Sequence, residues 1–184
     1  MYLDLNIHTD YDRDIFPFIK NGIVIDTSII DEIINGLIST RISKKRPTEL
    51  SNYSKILSFL EIIKVNNKWD KFFITPHILT EVCSHLRNEY SKWENYKEIV
   101  KEVMPIMENM QENLVCKDDF MKRIDKEKPV IEAGDISIFI TTDTFTDRKE
   151  KIAILTGDSR LNKKYQDSSS VMVMDYQTVI LNRL

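Results

Sequence analysis

Hydrophobic positions along this chain follow two different periods. Ile23-Val24-Ile25, inside GIVIDTS (22–28), is a short, uniformly apolar run between a glycine and a carboxylate, which predicts a buried strand. IIDEIINGLI then places apolar side chains at 29, 30, 33, 34, 37 and 38, the spacing of one helix face. A basic turn, RISKKRP (41–47), leads to a second stretch of helical period over 49–64, carried by Leu50, Tyr53, Ile56, Leu57, Leu60 and Ile63. KFFIT (71–75) predicts another buried strand. Thr75-Pro76 supplies an N-cap and a proline at the first helical position, so a helix starts at 76 and runs through Glu81 and past Glu89. Residues 92–125 are helix-rich by propensity, with Pro105 as a break or kink and Met104, Met107 and Met110 as a packed face. IAILT (152–156) and VMVMD (171–175) predict two more strands, and QTVILNRL closes the chain as a short helix or tail. ISIFITT (136–142) leaves two options open. Its β-branched alternation favours a strand, whereas the acidic pattern described below requires a helix beginning at Gly134-Asp135.

Strands alternating with helical stretches predict an α/β fold with a short, mostly parallel central sheet. Strands that are apolar on both sides are covered by helices on both faces. Residues 1–20 are polar and acidic and are expected to form an N-terminal extension to one domain over 21–184. In parallel sheets of this kind ligands gather at the carboxyl ends of the strands. The residue just after each strand is therefore the one to inspect.

Charge narrows the picture. The chain has 26 basic and 29 acidic residues, a net charge of −3, which excludes nucleic-acid binding driven mainly by a basic excess but leaves a metal-charged site open. Cys83 and Cys116 form neither a disulfide framework nor a zinc-spacing motif, in keeping with a reducing cytoplasm. The N-terminus lacks the order of a signal peptide, and no apolar run approaches the ~18 residues of a membrane helix. A soluble, cytoplasmic protein with no membrane partner is expected.

Acidic residues recur where the strands end. Asp26 ends the first strand, Glu81 lies in the second turn of the helix opened by Thr75-Pro76, Asp135 follows Gly134, and Asp158 closes Thr156-Gly157-Asp158. On a helical wheel Glu81 falls roughly 115° from the centre of the face made by Ile78, Leu79, Val82 and Leu86, at the border of core and cleft. Four carboxylates on one rim repel one another unless cations are present, and hard divalent cations take oxygen ligands. Such a cluster suits one or two Mg²⁺ or Mn²⁺ ions and the hydrolysis of a phosphodiester. Thr27 and Thr156 are placed to orient the acids or a water. Arg41, Lys44, Lys45 and Arg46 form either a phosphate grip or a solvated loop. His77, Glu81 and His85, spaced i, i+4 and i+8, form a solvent-facing stripe or a transition-metal site.

Taken in order, GIVIDTSII, ITPHILTEV, EAGDISIF and ILTGDSRL, with Asp26, Glu81, Asp135 and Asp158, resemble the PIN-domain nucleases over about residues 22–175. The resemblance implies a three-layer α/β/α domain and metal-dependent cleavage of RNA, with the four acids holding Mg²⁺ or Mn²⁺. It places the chain near the VapC-like toxin ribonucleases, many of which pair with an antitoxin and form homodimers. Two departures bear on the toxin role and on a dimer surface rather than on the acids. About 20 residues precede the first strand, and 55 residues separate Asp26 from Glu81 because of the basic turn and helix around 41–68. An RNA-processing or defence nuclease is the other role open within this reading.

Two competing functions are weighed against it. A non-catalytic PIN-like scaffold would bind RNA or protein without using the acids. A haloacid-dehalogenase-like phosphatase also begins with strand–Asp, but Ser28 stands where its second acid belongs and Asn162 where its late acid belongs.

Overall fold

Among the described residues five short strands lie side by side in the order β3-β2-β1-β4-β5: β1 (Ile23–Ile25), β2 (Phe72–Ile74), β3 (Gln111–Glu112), β4 (Ile152–Thr156) and β5 (Val171–Asp175). Every neighbouring pair is parallel, with Ile23 opposite both Phe72 and Ala153. The computed structural model describes residues 10–44, 46, 51–124 and 132–176. Between and around the strands run α1 (Phe16–Ile19), α2 (Thr27–Leu37), α3 (Asn52–Ile62), α4 (Pro76–Tyr90), α5 (Tyr96–Glu108), α6 (Lys117–Ile124), α7 (Ala133–Asp147) and α8 (Ser159–Tyr165). The result is a three-layer α/β/α domain.

The sheet is built from the uniformly apolar runs. All residues of β1 and β4 are buried, so both faces of the central strands are covered. The helical spacing that starts at Ile29 becomes the inner face of α2, where Ile29, Ile30, Ile33, Ile34 and Leu37 are buried. α3 packs beside it through Ile56, Phe59 and Leu60. Gly36 makes that approach possible, because a Cβ there would lie 1.9 Å from the Tyr53 ring. Thr75 caps α4 as its sequence requires, its hydroxyl accepting the Ile78 N–H at 3.3 Å.

Residues 136–142 are helical, inside α7. Their strand-like alternation is overridden because α7 is enclosed on nearly all sides: Ile136, Ile138 and Phe139 are buried together with Ser137, Thr141 and Thr142. The hydroxyls need no strand partner. Ser137 Oγ donates to the Gly134 carbonyl and Thr142 Oγ1 to the Ile138 carbonyl, both at 2.7 Å. Ser137 also meets Thr75 Oγ1 at 2.7 Å, tying the start of α4 to α7.

At three further places the structure differs in detail from the pattern of the sequence. Residues 10–20 are not merely a polar preface: a π-helical turn over Tyr11–Ile15 leads into α1, and Ile15, Phe18 and Ile19 join the core. The acids that dominate this stretch face outward, and Asp10 caps the turn by accepting from the Asp12 and Arg13 N–H groups. Pro105 does not break α5, which continues to Glu108, since a proline near the end of a helix removes only one of its last hydrogen bonds. β3 has no apolar signature because it is a two-residue, solvent-exposed strand at the sheet edge, Gln111-Glu112. Residues 1–9 of the expected N-terminal extension (1–20), the expected C-terminal helix or tail (177–184), Leu50 and Lys45 lie outside the described residues. No described helix is long and apolar enough to cross a membrane.

Candidate metal centre

The strand order reverses between β1 and β4: the chain builds outward from β1 to β3, then returns to lay β4 against the other side of β1. A crevice at the carboxyl ends of the strands is expected at such a reversal. Asp26 stands there. Its N–H continues the ladder to the Leu155 carbonyl at 3.0 Å, and its backbone then turns into α2 as the N-cap. The carboxylate makes no capping bond. Instead its Oδ2 accepts the Thr156 hydroxyl at 2.6 Å and the Ser28 hydroxyl at 2.8 Å.

Thr156, fully buried at the end of β4, serves two acids at once. Its hydroxyl donates to Asp26 and accepts the Asp158 N–H at 2.8 Å. Asp158 caps α8, with Oδ1 accepting the Arg160 N–H at 2.7 Å. Its Oδ2 accepts from the Arg160 guanidinium, both Nε and Nη2 lying at 2.6 Å. The same Nη2 stands 3.7 Å from Asp135 Oδ2, so one cation serves two of the predicted acids.

Asp135 occupies the first turn of α7 and is 9% exposed. Burial, reinforced by Asp26, Asp158 and Glu132, pushes its carboxyl up to about 6 against the opposing pull of Arg160. Glu81 faces it from α4, where Thr27 Oγ1 donates to Glu81 Oε2 at 2.9 Å. Gly134 lets α7 come this close, since a Cβ there would lie 3.0 Å from Glu81 Oε2. Asp26, Glu81, Asp135 and Asp158 thus line one cavity of about 210 Å³, together with Thr27, Ser28, Asp31, His85, Glu132, Gly134 and Arg160.

The donor types, carboxylates and hydroxyls, fit a hard divalent cation. Their spacing is looser than a closed coordination shell: among the described residues no three His, Cys, Asp or Glu side chains are grouped to hold one ion. The positive charge between Asp135 and Asp158 is that of Arg160.

The described residues of the basic turn are not part of this cavity's lining. Arg41 pairs with Glu102 on α5 at 2.7 Å and lines a separate cavity, while Lys44 and Arg46 are exposed. The histidine stripe also separates. His77 stacks flat on Phe120 with ring centroids 4.5 Å apart, whereas His85 Nδ1 meets Asp31 Oδ2 at 2.6 Å.

Sequence reasoning missed Ser28, Arg160 and the Asp31–His85 pair. The signal for the pair was present: Asp31 lies four residues after Thr27, and His85 four after Glu81. Thr27–Glu81 and Asp31–His85 are therefore successive rungs between α2 and α4, with Asn35 and the Tyr90 hydroxyl forming a third.

No protein-family model matches the chain, and no curated protein matches its sequence.

Proposed function

We propose that this protein is a metal-dependent endoribonuclease of PIN-like type that hydrolyses RNA phosphodiester bonds. The observation that carries the reading is the convergence of Asp26, Glu81, Asp135 and Asp158, from four separate stretches of chain, on one cavity at the β1/β4 reversal. The ordered motif resemblance supports it, as does the parallel α/β/α architecture.

These four carboxylates would hold Mg²⁺ or Mn²⁺, which when bound supplies activation of water and stabilisation of the leaving oxygen. The chain's own residues do the rest. Thr156 and Ser28 fix the orientation of Asp26, and Thr27 fixes Glu81. Hydroxyls of this kind position ligands by engaging the oxygens that do not bind the ion. Arg160 neutralises Asp158 and Asp135 and, on release from them, offers a bidentate donor to a substrate phosphate. RNA is the substrate on this reading. The proposal takes in two alternative roles, a toxin paired with an antitoxin or other protein partner, or an RNA-processing or defence nuclease, with a homodimer and a cytoplasmic site of action as further parts of it.

A non-catalytic scaffold is the second reading, favoured by the Arg160 pairing within the cavity. Cleavage of a mixed single-stranded RNA pool with Mn²⁺, Mg²⁺ or EDTA separates the two. The proposal expects cutting that needs the metal and disappears in Asp135→Asn; folded wild type that leaves every RNA intact with either metal favours the scaffold.

A further inference from the structure

Asp31 and His85 line the acidic cavity without belonging to its four predicted acids. They sit one rung beyond Thr27–Glu81 on the same two helices, beside the carboxylates rather than among them. The 2.6 Å contact engages His85 Nδ1, so Nε2 is the ring nitrogen left to exchange protons. The imidazole side chain is 43% exposed and Asp31 27%, which leaves the ring open to solvent while its orienting carboxylate is more enclosed. A shared metal site with His77 is not supported: His77 is stacked on Phe120, and no described trio of ligating side chains is grouped to hold an ion.

We propose that Asp31 and His85 form a proton-transfer dyad in which His85 Nε2 protonates the leaving oxygen of the phosphodiester. This inference rests on the nuclease reading and adds a catalytic residue to it. Water forms the new P–O bond and releases one proton to the cleft. The P–O bond to the leaving oxygen breaks, its electron pair goes to that oxygen, and the oxygen departs as an alcohol carrying the Nε2 proton. The proton released by water then restores the imidazolium through solvent, so charge and atoms balance over one turnover.

The surroundings favour a charged imidazole. Asp31 on α2, and Glu81 and Glu89 on α4 itself, all push the His85 pKa up, the Asp31 hydrogen bond most strongly. Across the cavity stand Glu132 and Asp135 at the start of α7, Asp26 before α2, and Asp158 with Arg160 at α8. Among the described residues Arg160 is the one arginine or lysine lining this cavity, and it pairs with Asp158 and Asp135. Burial pushes Asp31 itself up, against the pull of His85. A dyad in this state donates first and recovers its proton afterwards, which is the order that leaving-group protonation requires.

The test compares wild type, His85→Gln and Asp31→Asn as full-length protein with Mn²⁺. Two oligonucleotides are used: normal RNA, and the same strand with sulfur replacing the leaving oxygen at the scissile linkage. Sulfur leaves without a proton. His85→Gln is expected to slow RNA cleavage by about 10² or more while slowing the sulfur-linked strand by less than about tenfold. Asp31→Asn keeps the imidazole but loosens it; its alkaline limb of kcat should move to lower pH. In metal-free protein the His85 ring signals, followed by NMR, should titrate above the ordinary histidine value and drop in Asp31→Asn. Equal slowing of both strands, undiminished RNA cleavage in His85→Gln, or a His85 titration unmoved by Asp31→Asn overturns the dyad and leaves the nuclease reading standing. Failure of wild type to cut RNA removes the nuclease reading, and the dyad with it.

Discussion

Two of the cavities in this fold differ sharply in character. The larger, about 490 Å³, opens between α2, α3 and α5 and is lined by Ile33, Leu37, Tyr53, Leu57, Trp69 and Ile106, with Arg41 and Glu102 paired at its edge. The smaller, about 210 Å³, sits at the β1/β4 reversal and holds the acids, the hydroxyls and Arg160. Size favours the first and chemistry the second. In the larger cavity the charged side chains are Arg41, Lys101 and Glu102, with Arg41 and Glu102 paired, and no acidic cluster forms among the described lining residues. In the smaller, carboxylates outnumber cations, and the polar groups are aimed at one another by a chain of hydrogen bonds through Thr156, Thr27 and Ser28. A site is marked by convergence of unbalanced charge on prepositioned donors, not by volume.

The comparison breaks first at the level of activity. Asp26→Asn or Asp135→Asn should lower Mn²⁺-dependent RNA cleavage by more than about 10³-fold, in keeping with loss of a group that stabilises transition-state charge. Tyr53→Ala in the larger cavity should change it by less than about threefold. Comparable losses at both places, measured as initial rates on one RNA, would dissolve the distinction.

Thr156→Val tests the supporting shell. It removes the donor to Asp26 and the acceptor for the Asp158 N–H at a fully buried position. A cost of about 1–3 kcal/mol in chemical denaturation is expected. Metal affinity should fall about 10–100-fold, as for other groups that orient ligands. Unchanged affinity in a folded variant would mean that Thr156 is structural only.

Asp135 carries a stability signature of its own. Its folded pKa is raised from 3.8 to about 6, so its protonated form favours folding. That contribution is complete below the unfolded value and is lost as the pH rises through about 6. At neutral pH, without metal, the ionised group should cost about 2–3 kcal/mol. Asp135→Asn should therefore raise the metal-free Tm, by about 2–4 °C per kcal/mol, and flatten the fall in Tm between pH 4 and 7. The Arg41–Glu102 pair at the larger cavity gives the smallest effect. Both partners are well exposed, so Glu102→Ala should cost no more than about 1 kcal/mol and fade in high salt.

Much of this was legible from pattern alone. The apolar runs at 23–25, 72–74, 152–155 and 171–174 became β1, β2, β4 and β5, because strands buried on both faces leave an uninterrupted apolar signature. Asp26 and Asp158 stand just after two of them, because parallel strands bring their carboxyl ends to one edge, while Glu81 and Asp135 reach the same edge from helices. β3 escaped notice because an exposed two-residue edge strand needs no apolar side chains. Tyr11–Ile19 was misread because composition averages over a segment whose acids face out and whose Ile15, Phe18 and Ile19 face in. Residues 136–142 stayed ambiguous because β-branched residues prefer strands locally, and only enclosure by the rest of the fold decides otherwise. Arg160 was overlooked for a different reason. Its partners, Asp158 and Asp135, meet only when α7 and α8 are brought to the same crevice, and no local spacing announces that.

The central claim is that the four acids form one cation-dependent centre. It is tested most directly by titrating Mn²⁺ into wild type and Asp135→Asn while following Tm. Wild type should start lower and climb to saturation as the bound ion stabilises the folded state. Asp135→Asn should start higher and remain flat. Two curves that rise in parallel, or a wild-type curve that does not rise at all, would contradict the account.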